Sequence, residues 1–221
     1  DDFNFEYDIF GNGHSKMVIP MWTKSPRIAE RTGLTEELRF SIESAGLDPK
    51  NFEDRQADVR PAVIEARRKW AERFGIDISD MTDTQVADDG NYNAFPNITF
   101  NAHPEGVLVM RFLPHATDPA RCRYDVWVLS VRSSDPEFAL PFYMAVPPET
   151  DLSGKGERPA RQYVEHGDEG LGVVLNQDGD SLPMVQAGVQ SRGFKGIRLS
   201  NQEIRLRYFY EEYARYLGGV K

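Results

Sequence analysis

Only one cysteine, Cys122, stands among the 221 residues. A single thiol excludes an intrachain disulfide and a CxxC pair. It therefore excludes an iron–sulfur cluster or a cysteine-rich zinc site built from this chain's thiolates alone. It also fits a reducing compartment, and the expected location is cytoplasmic. Long apolar runs are missing as well: none approaches the roughly 18 residues of a membrane-crossing helix, so no membrane partner is expected. Positive charge is scarce, with 26 Lys and Arg against 35 Asp and Glu and a formal net charge of −9. That balance argues against a nucleic-acid partner, which selects for a basic surface. The densest basic stretch, Arg67-Arg68-Lys69, lies in a helical pattern near Glu65 and Glu72 and reads as a solvated helix face. There is no Gly-rich phosphate loop leading into a helix, no G-x-S-x-G elbow and no H-E-x-x-H. The opening Asp1-Asp2-Phe3-Asn4 is neither a signal nor a transit peptide. It starts directly on a strand pattern without an initiator Met, which sets the expectation of a chain cut from a longer parent.

What is present has the balance of a globular domain, 40% hydrophobic and 28% charged. Phe3, Phe5, Tyr7 and Ile9 alternate with polar residues, the signature of a half-buried strand. Gly11-Asn12-Gly13 supplies a turn, and Met17-Val18-Ile19 returns to complete a hairpin. The period then becomes helical. Ser25-Pro26 resembles a helix start, Thr35 caps a helix carrying Leu38, Ile42 and Ala45 up to Gly46, and a second helix runs from Pro61 to Gly75. Residues 77–91 are acidic and aperiodic and read as a long surface loop. Three strands are expected over residues 93–101, 106–114 and 122–131, joined by short turns as an antiparallel meander. Residues 149–161 read as a loop. Ser200-Asn201-Gln202-Glu203 has the form of a capping box. It leads a closing helix whose stripe of Ile204, Tyr208, Tyr213, Tyr216 and Leu217 reads as core packing. Strands in the middle and helices toward the ends give an α+β domain spanning residues 1–221, with an antiparallel sheet curled over a long terminal helix. A cavity between the two would suit an apolar small molecule.

Four histidines, His14, His103, His115 and His166, are too scattered to form a metal-binding motif. His103 with Glu105 and His115 with Asp118 fall on turns without a third ligand, and His166 sits in an acidic, helix-like stretch with Glu165, Asp168 and Glu169. Each reads as a surface or structural residue. Cys122 begins a strand and reads as a buried, inert thiol. The segment from Leu175 to Gly193 is the most informative. Pro183 suits a first helical turn, followed by an apolar face of Met184, Val185, Gly188 and Val189, so Asp178 and Asp180 are expected at the helix N-terminus. There a carboxylate either caps the helix or, at a cavity mouth, serves as a ligand for a hard metal.

The order Asp178-x7-Gln186-x-Gly188-x2-Ser191, then Leu199-Ser200-x2-Glu203 and an aromatic terminal helix, resembles the C-terminal signature of Rieske-type aromatic-ring-hydroxylating oxygenase α subunits. Phe95-Pro96-Asn97 is similar to that family's FPN element, and Gly11-Asn12-Gly13-His14-Ser15 after a strand is also similar. The resemblance implies a helix-grip catalytic domain holding one mononuclear Fe(II) by two histidines and a carboxylate. It implies Asp178 as the metal ligand, with Asp180 as its alternate, and Phe95 and Asn97 as substrate-binding residues. It further implies O2 and NAD(P)H-derived electrons, a ferredoxin or reductase donor, an aromatic substrate and a trimer-based homo-oligomer. The family's H-x4-H pair and the ligands of its Rieske [2Fe–2S] cluster do not occur here. They are expected upstream of Asp1 in the parent, which would leave this chain inactive alone. The other reading is a stand-alone helix-grip domain that binds an apolar molecule without metal, in which Asp178 is no more than a cap.

Overall fold

The computed structural model describes residues 5–22, 33–144, 146–167, 171 and 173–219. The proposed strand residue Phe3, the Ser25-Pro26 helix start and the acidic neighbours Asp168 and Glu169 lie outside them. Among the described residues six strands form one sheet in simple sequence order, every neighbour antiparallel. They are β1 (Glu6–Ile9), β2 (Ser15–Ile19), β3 (Asp89–Ala94), β4 (Ile98–His103), β5 (Gly106–Pro114) and β6 (Cys122–Ser130). The helices are α1 (Glu36–Ser44), α2 (Val59–Arg73), α3 (Asp83–Ala87), α4 (Val173–Gln190) and α5 (Ile204–Leu217). This is the α+β helix-grip arrangement expected from the sequence. Among the described residues no helix is long and apolar enough to cross a membrane.

The local signals act where they stand. Asn12 and Gly13 take positive φ of 62° and 77° in the β1–β2 turn, a conformation Asn and Gly accept at least cost. Thr35 Oγ1 accepts the Leu38 amide at 3.2 Å to start α1, and Gly46 ends it at φ 74°. Pro61 is tolerated in the first turn of α2, where no intrahelical donor is needed. The main apolar core lies between α1 and α2, where Leu38, Ile42, Val59 and Val63 pack with Trp22, Leu34, Phe52 and Ala87.

Several expectations are corrected. Residues 93–101 are not one strand: the chain reverses at Phe95-Pro96-Asn97 between β3 and β4. The 77–91 loop contains α3, opened by a Thr82/Gln85 capping box, and leads directly into β3. Arg67 is buried rather than solvated. It lies over the Trp22 ring and donates to the Val86 carbonyl at 2.5 Å and to the Tyr143 hydroxyl at 2.7 Å, with Glu105 3.5 Å away. These partners stabilise a cation that burial alone would disfavour. Cys122 begins β6 as expected but is exposed, because it occupies the outermost rung of an edge strand, opposite Pro114.

The closing helix opens on the Ser200/Glu203 capping box, with the Ser200 amide 2.7 Å from Glu203 Oε2. Its buried side is not the aromatic stripe, since Tyr213, Tyr216 and Leu217 are all substantially exposed. The inward face carries Arg205, Tyr208, Phe209 and Glu212, and Glu212 is fully buried. Polar partners on the sheet decide this face. Arg205 donates to Ser15 Oγ at 3.1 Å and to Asn91 Oδ1 at 2.7 Å.

Candidate functional site

Directly paired residues, and alternate residues along each strand, share a face of the sheet. The register Tyr124↔Phe112, Met110↔Thr99, Asn101↔Asn91 and Asn93↔Ser15 therefore puts Ser15, Asn91, Asn101, Phe112 and Tyr124 on one side. Arg205 of α5 reaches that side at Ser15 and Asn91. Asp178 of α4 acts on it at Tyr124, whose hydroxyl is pushed up to about 12, first by burial and then by the Asp178 charge. The α5 helix therefore lies over this face, and the charge of Asp178 on α4 reaches it at Tyr124. That face is half-buried rather than sealed. A hollow among the described residues lies elsewhere, beside α2 at Arg68, Ala71 and Ile78, rather than between sheet and terminal helix as expected.

Phe95 and Asn97 sit at one end of this surface. The Phe95 amide donates to His14 Nδ1 at 3.0 Å. The Phe95 ring packs against Phe209 and Tyr216 of α5, each with centroids 5.3 Å away. Asn97 is clasped by Phe112 in both directions: Asn97 Nδ2 donates to the Phe112 carbonyl and the Phe112 amide donates to the Asn97 carbonyl, both at 2.9 Å. The Phe112 ring stacks on Tyr124 at 4.8 Å and 12°. Asn97, Phe112 and Tyr124 are therefore linked across the face, beside Phe95 and within reach of the Asp178 charge. Phe95 and Asn97 are the residues expected from the sequence to bind substrate, and Asp178 the one expected to bind metal. Phe112 and Tyr124 were missed. Their signal was their alternation with Arg111 and Asp125 on paired strands, readable only once the register is known.

Asp178 and Asp180 do not cap α4. The helix begins at Val173 and carries Pro183 in its interior, so both carboxylates project from its middle and are exposed. A proline there removes one hydrogen bond and leaves the carbonyl four residues earlier without its amide. That carbonyl belongs to Gly179, and His166 Nε2 stands 3.1 Å from it as the replacement donor. His166 is therefore in a turn beside α4 rather than in a helix, and Gly179 offers no Cβ to the proline ring. The apolar face expected on this helix is open to solvent: Met184, Val185 and Val189 are all exposed.

The other histidines are placed apart from Asp178. His115 accepts the Asp118 amide at 3.1 Å in an exposed turn. His103 is the last residue of β4 rather than a turn residue, packed on the Tyr143 ring with Asp89 Oδ1 3.5 Å from its Nε2. Burial, and then the Arg67 charge, hold its imidazole down to about 4, so this contact is not an ion pair at neutral pH. Among the described residues no three His, Cys, Asp or Glu side chains come together as a metal site. What they supply is one carboxylate. The Asp178 oxygens take no hydrogen bond from the described residues, while its backbone carbonyl accepts from Ser181 Oγ at 2.8 Å. A carboxylate whose oxygens are unbonded among the described residues has the donor chemistry of one position of a two-histidine, one-carboxylate iron site. Those residues bring no imidazole beside it as a metal cluster.

The family model described as ring hydroxylating alpha subunit (catalytic domain) matches residues 42–219. The match takes in the Phe95-Pro96-Asn97 turn, Phe112, Tyr124 and all of α4, and His14 lies before it. No curated protein and no solved structure matches the chain.

Proposed function

Because the chain belongs to the ring-hydroxylating α subunits, as their catalytic domain, we propose that the intact protein hydroxylates an aromatic ring with O2 at a mononuclear Fe(II). Electrons come from NAD(P)H through a ferredoxin or reductase and a Rieske [2Fe–2S] cluster. A preceding domain contributes that cluster, and two histidines outside this chain complete the iron site. The assembly is trimer-based. One observation carries this reading: Asp178, whose carboxylate takes no hydrogen bond from the described residues, lies close enough to Tyr124 for its charge to act on that hydroxyl, on the face that Asn97 borders through Phe112.

Bound iron supplies the site at which O2 is activated. This chain's part is to place a ring beside it. Asp178 provides the anionic oxygen ligand from α4. Phe112, stacked on Tyr124, offers a flat apolar floor against which an aromatic ring packs, and offset stacking favours a ring lying parallel to it. Asn97 spends its side-chain amide donor on the Phe112 carbonyl and keeps its Oδ1 as an acceptor at the edge of that floor. Tyr124, neutral up to about pH 12, adds a hydroxyl donor without a second negative charge beside Asp178.

The test is to measure iron and acid-labile sulfide in the intact protein, with Asp178→Ala alongside. Iron in excess of the cluster, lost in the variant while sulfide is retained, is the expected result. An intact protein without iron would sink the oxygenase reading in favour of a metal-free domain for apolar ligands, whereas a variant that keeps all its iron would remove Asp178 as the ligand.

A further inference from the structure

The β1–β2 turn, the Phe95-Pro96-Asn97 turn and α5 meet at one point, and Gly13 is its centre. Gly13 has φ 77°, and a Cβ there would lie 2.8 Å from the Phe95 ring and 2.9 Å from Glu212 Cγ. Only a residue without a side chain lets the three elements close this far. Asn93 Nδ2 donates to the Gly13 carbonyl at 3.1 Å, fixing the first turn to β3. One residue on, His14 fixes it to the second turn. The Phe95 amide is the first after β3 ends at Ala94, so it has no ladder partner on a neighbouring strand. A backbone donor left in that position must find an acceptor or remain unsatisfied. It finds His14 Nδ1 at 3.0 Å. Because Nδ1 accepts this bond, the ring's own N–H donor is the one on Nε2.

We propose that His14 is a positioning residue for the Phe95-Pro96-Asn97 turn. Its ring acceptor holds the N-terminal end of the turn, and Phe112 holds the C-terminal end through Asn97. Between them the Phe95 ring is pressed onto Phe209 and Tyr216. The role needs an acceptor on the second atom beyond Cβ, which Asn shares through Oδ1 and Ala lacks. Its consequence for ligand binding rests on the reading of Phe95 and Asn97 as the border of the ring site.

The test uses the intact protein with His14→Ala, His14→Asn and Asn97→Ala. Exchange of the Phe95 amide is followed by NMR, and naphthalene, as an aromatic probe, by its fluorescence on binding. In His14→Ala, Phe95 exchange is expected to rise by about tenfold or more, with naphthalene affinity falling severalfold. His14→Asn is expected to return both to within about twofold of the parent. Unchanged Phe95 exchange in His14→Ala, or a His14→Asn protein as impaired as His14→Ala, overturns the positioning role. Rescue of exchange by Asn, with naphthalene binding indifferent to all three variants, supports the positioning role. It overturns instead the placing of Phe95 and Asn97 at the ring site.

Discussion

Acid should unfold this protein in part through one histidine. The His103 side chain is 15% exposed, and its imidazole is lowered from 6.5 to about 4 by burial and by Arg67. Below pH 6.5 the unfolded chain takes up a proton at this position that the folded chain refuses until about pH 4. Stability from His103 is therefore complete above pH 6.5 and is lost as the pH falls toward 4. At roughly 1.4 kcal/mol per decade, the full loss is on the order of 3 kcal/mol, a large share of a typical domain's stability. Asp89 Oδ1, 3.5 Å away, would favour the imidazolium, but Asn101 and Arg205 already engage that carboxylate. Burial raises the Asp89 carboxyl, so its own protonation favours the folded state at the acid end and offsets part of the loss. The control is His103→Gln, which keeps an amide donor near Asp89 and does not titrate. Urea unfolding of both proteins from pH 7.5 to 4.5 should show the gap between them change by about 2–3 kcal/mol, with the parent losing more. Parallel curves across that window would refute the reasoning.

Three further outcomes follow from the same structure. Arg67→Met strands the buried Glu105 carboxylate and should cost about 3–5 kcal/mol in urea unfolding, with the additional change Glu105→Gln recovering part of it. Pro183→Ala restores an amide opposite the Gly179 carbonyl and should slow hydrogen exchange across α4. The gain is about 1–2 kcal/mol, less than a full proline penalty because His166 already occupies that carbonyl. Asp178→Asn should lower the Tyr124 hydroxyl from about 12 only part of the way to its ordinary 10.0, because burial is the larger cause. The tyrosinate absorbance difference against Tyr124→Phe measures this, and an unchanged midpoint would separate the two residues.

The parts of the fold written in local signals were legible: the Gly11-Asn12-Gly13 hairpin, the Thr35 and Gly46 ends of α1, the body of α2 and the Ser200/Glu203 cap. The misreadings arose where tertiary partners outvote local pattern. β3, with the sequence Asp89-Gly90-Asn91-Tyr92-Asn93-Ala94, has little strand propensity. It is a strand because β2 and β4 flank it and its Asn side chains bond outward, Asn93 to Gly13 and Asn91 to Asn101. Arg67 and Glu212 look like surface residues in any one-dimensional pattern, yet each is buried beside a charge of opposite sign. The start of α4 was placed by Pro183, a sound rule for a first turn that fails when a histidine thirteen residues before Gly179 supplies the missing donor. Of the residues proposed for the site, Phe95, Asn97 and Asp178 were read from a motif, whereas Phe112 and Tyr124 needed the strand register.

The two sides of the site are built to different standards. The Phe95-Pro96-Asn97 turn is held by a backbone bond to His14, by a reciprocal pair with Phe112 and by ring contacts with α5. Removing any one leaves the other two, so this wall is set when the sheet and α5 fold. Asp178 rides on a helix with an interior proline, one carbonyl served by an exposed histidine, and Met184, Val185 and Val189 open on its surface. A ligand that engages the Asp178 carboxylate adds its binding free energy to the folded state, and that energy acts first on α4, the less constrained partner. Iron loading should then protect α4 from hydrogen exchange more than it protects β3 and β4. The reverse order, with the sheet tightening and α4 unmoved, would mean that the metal is held by residues other than Asp178.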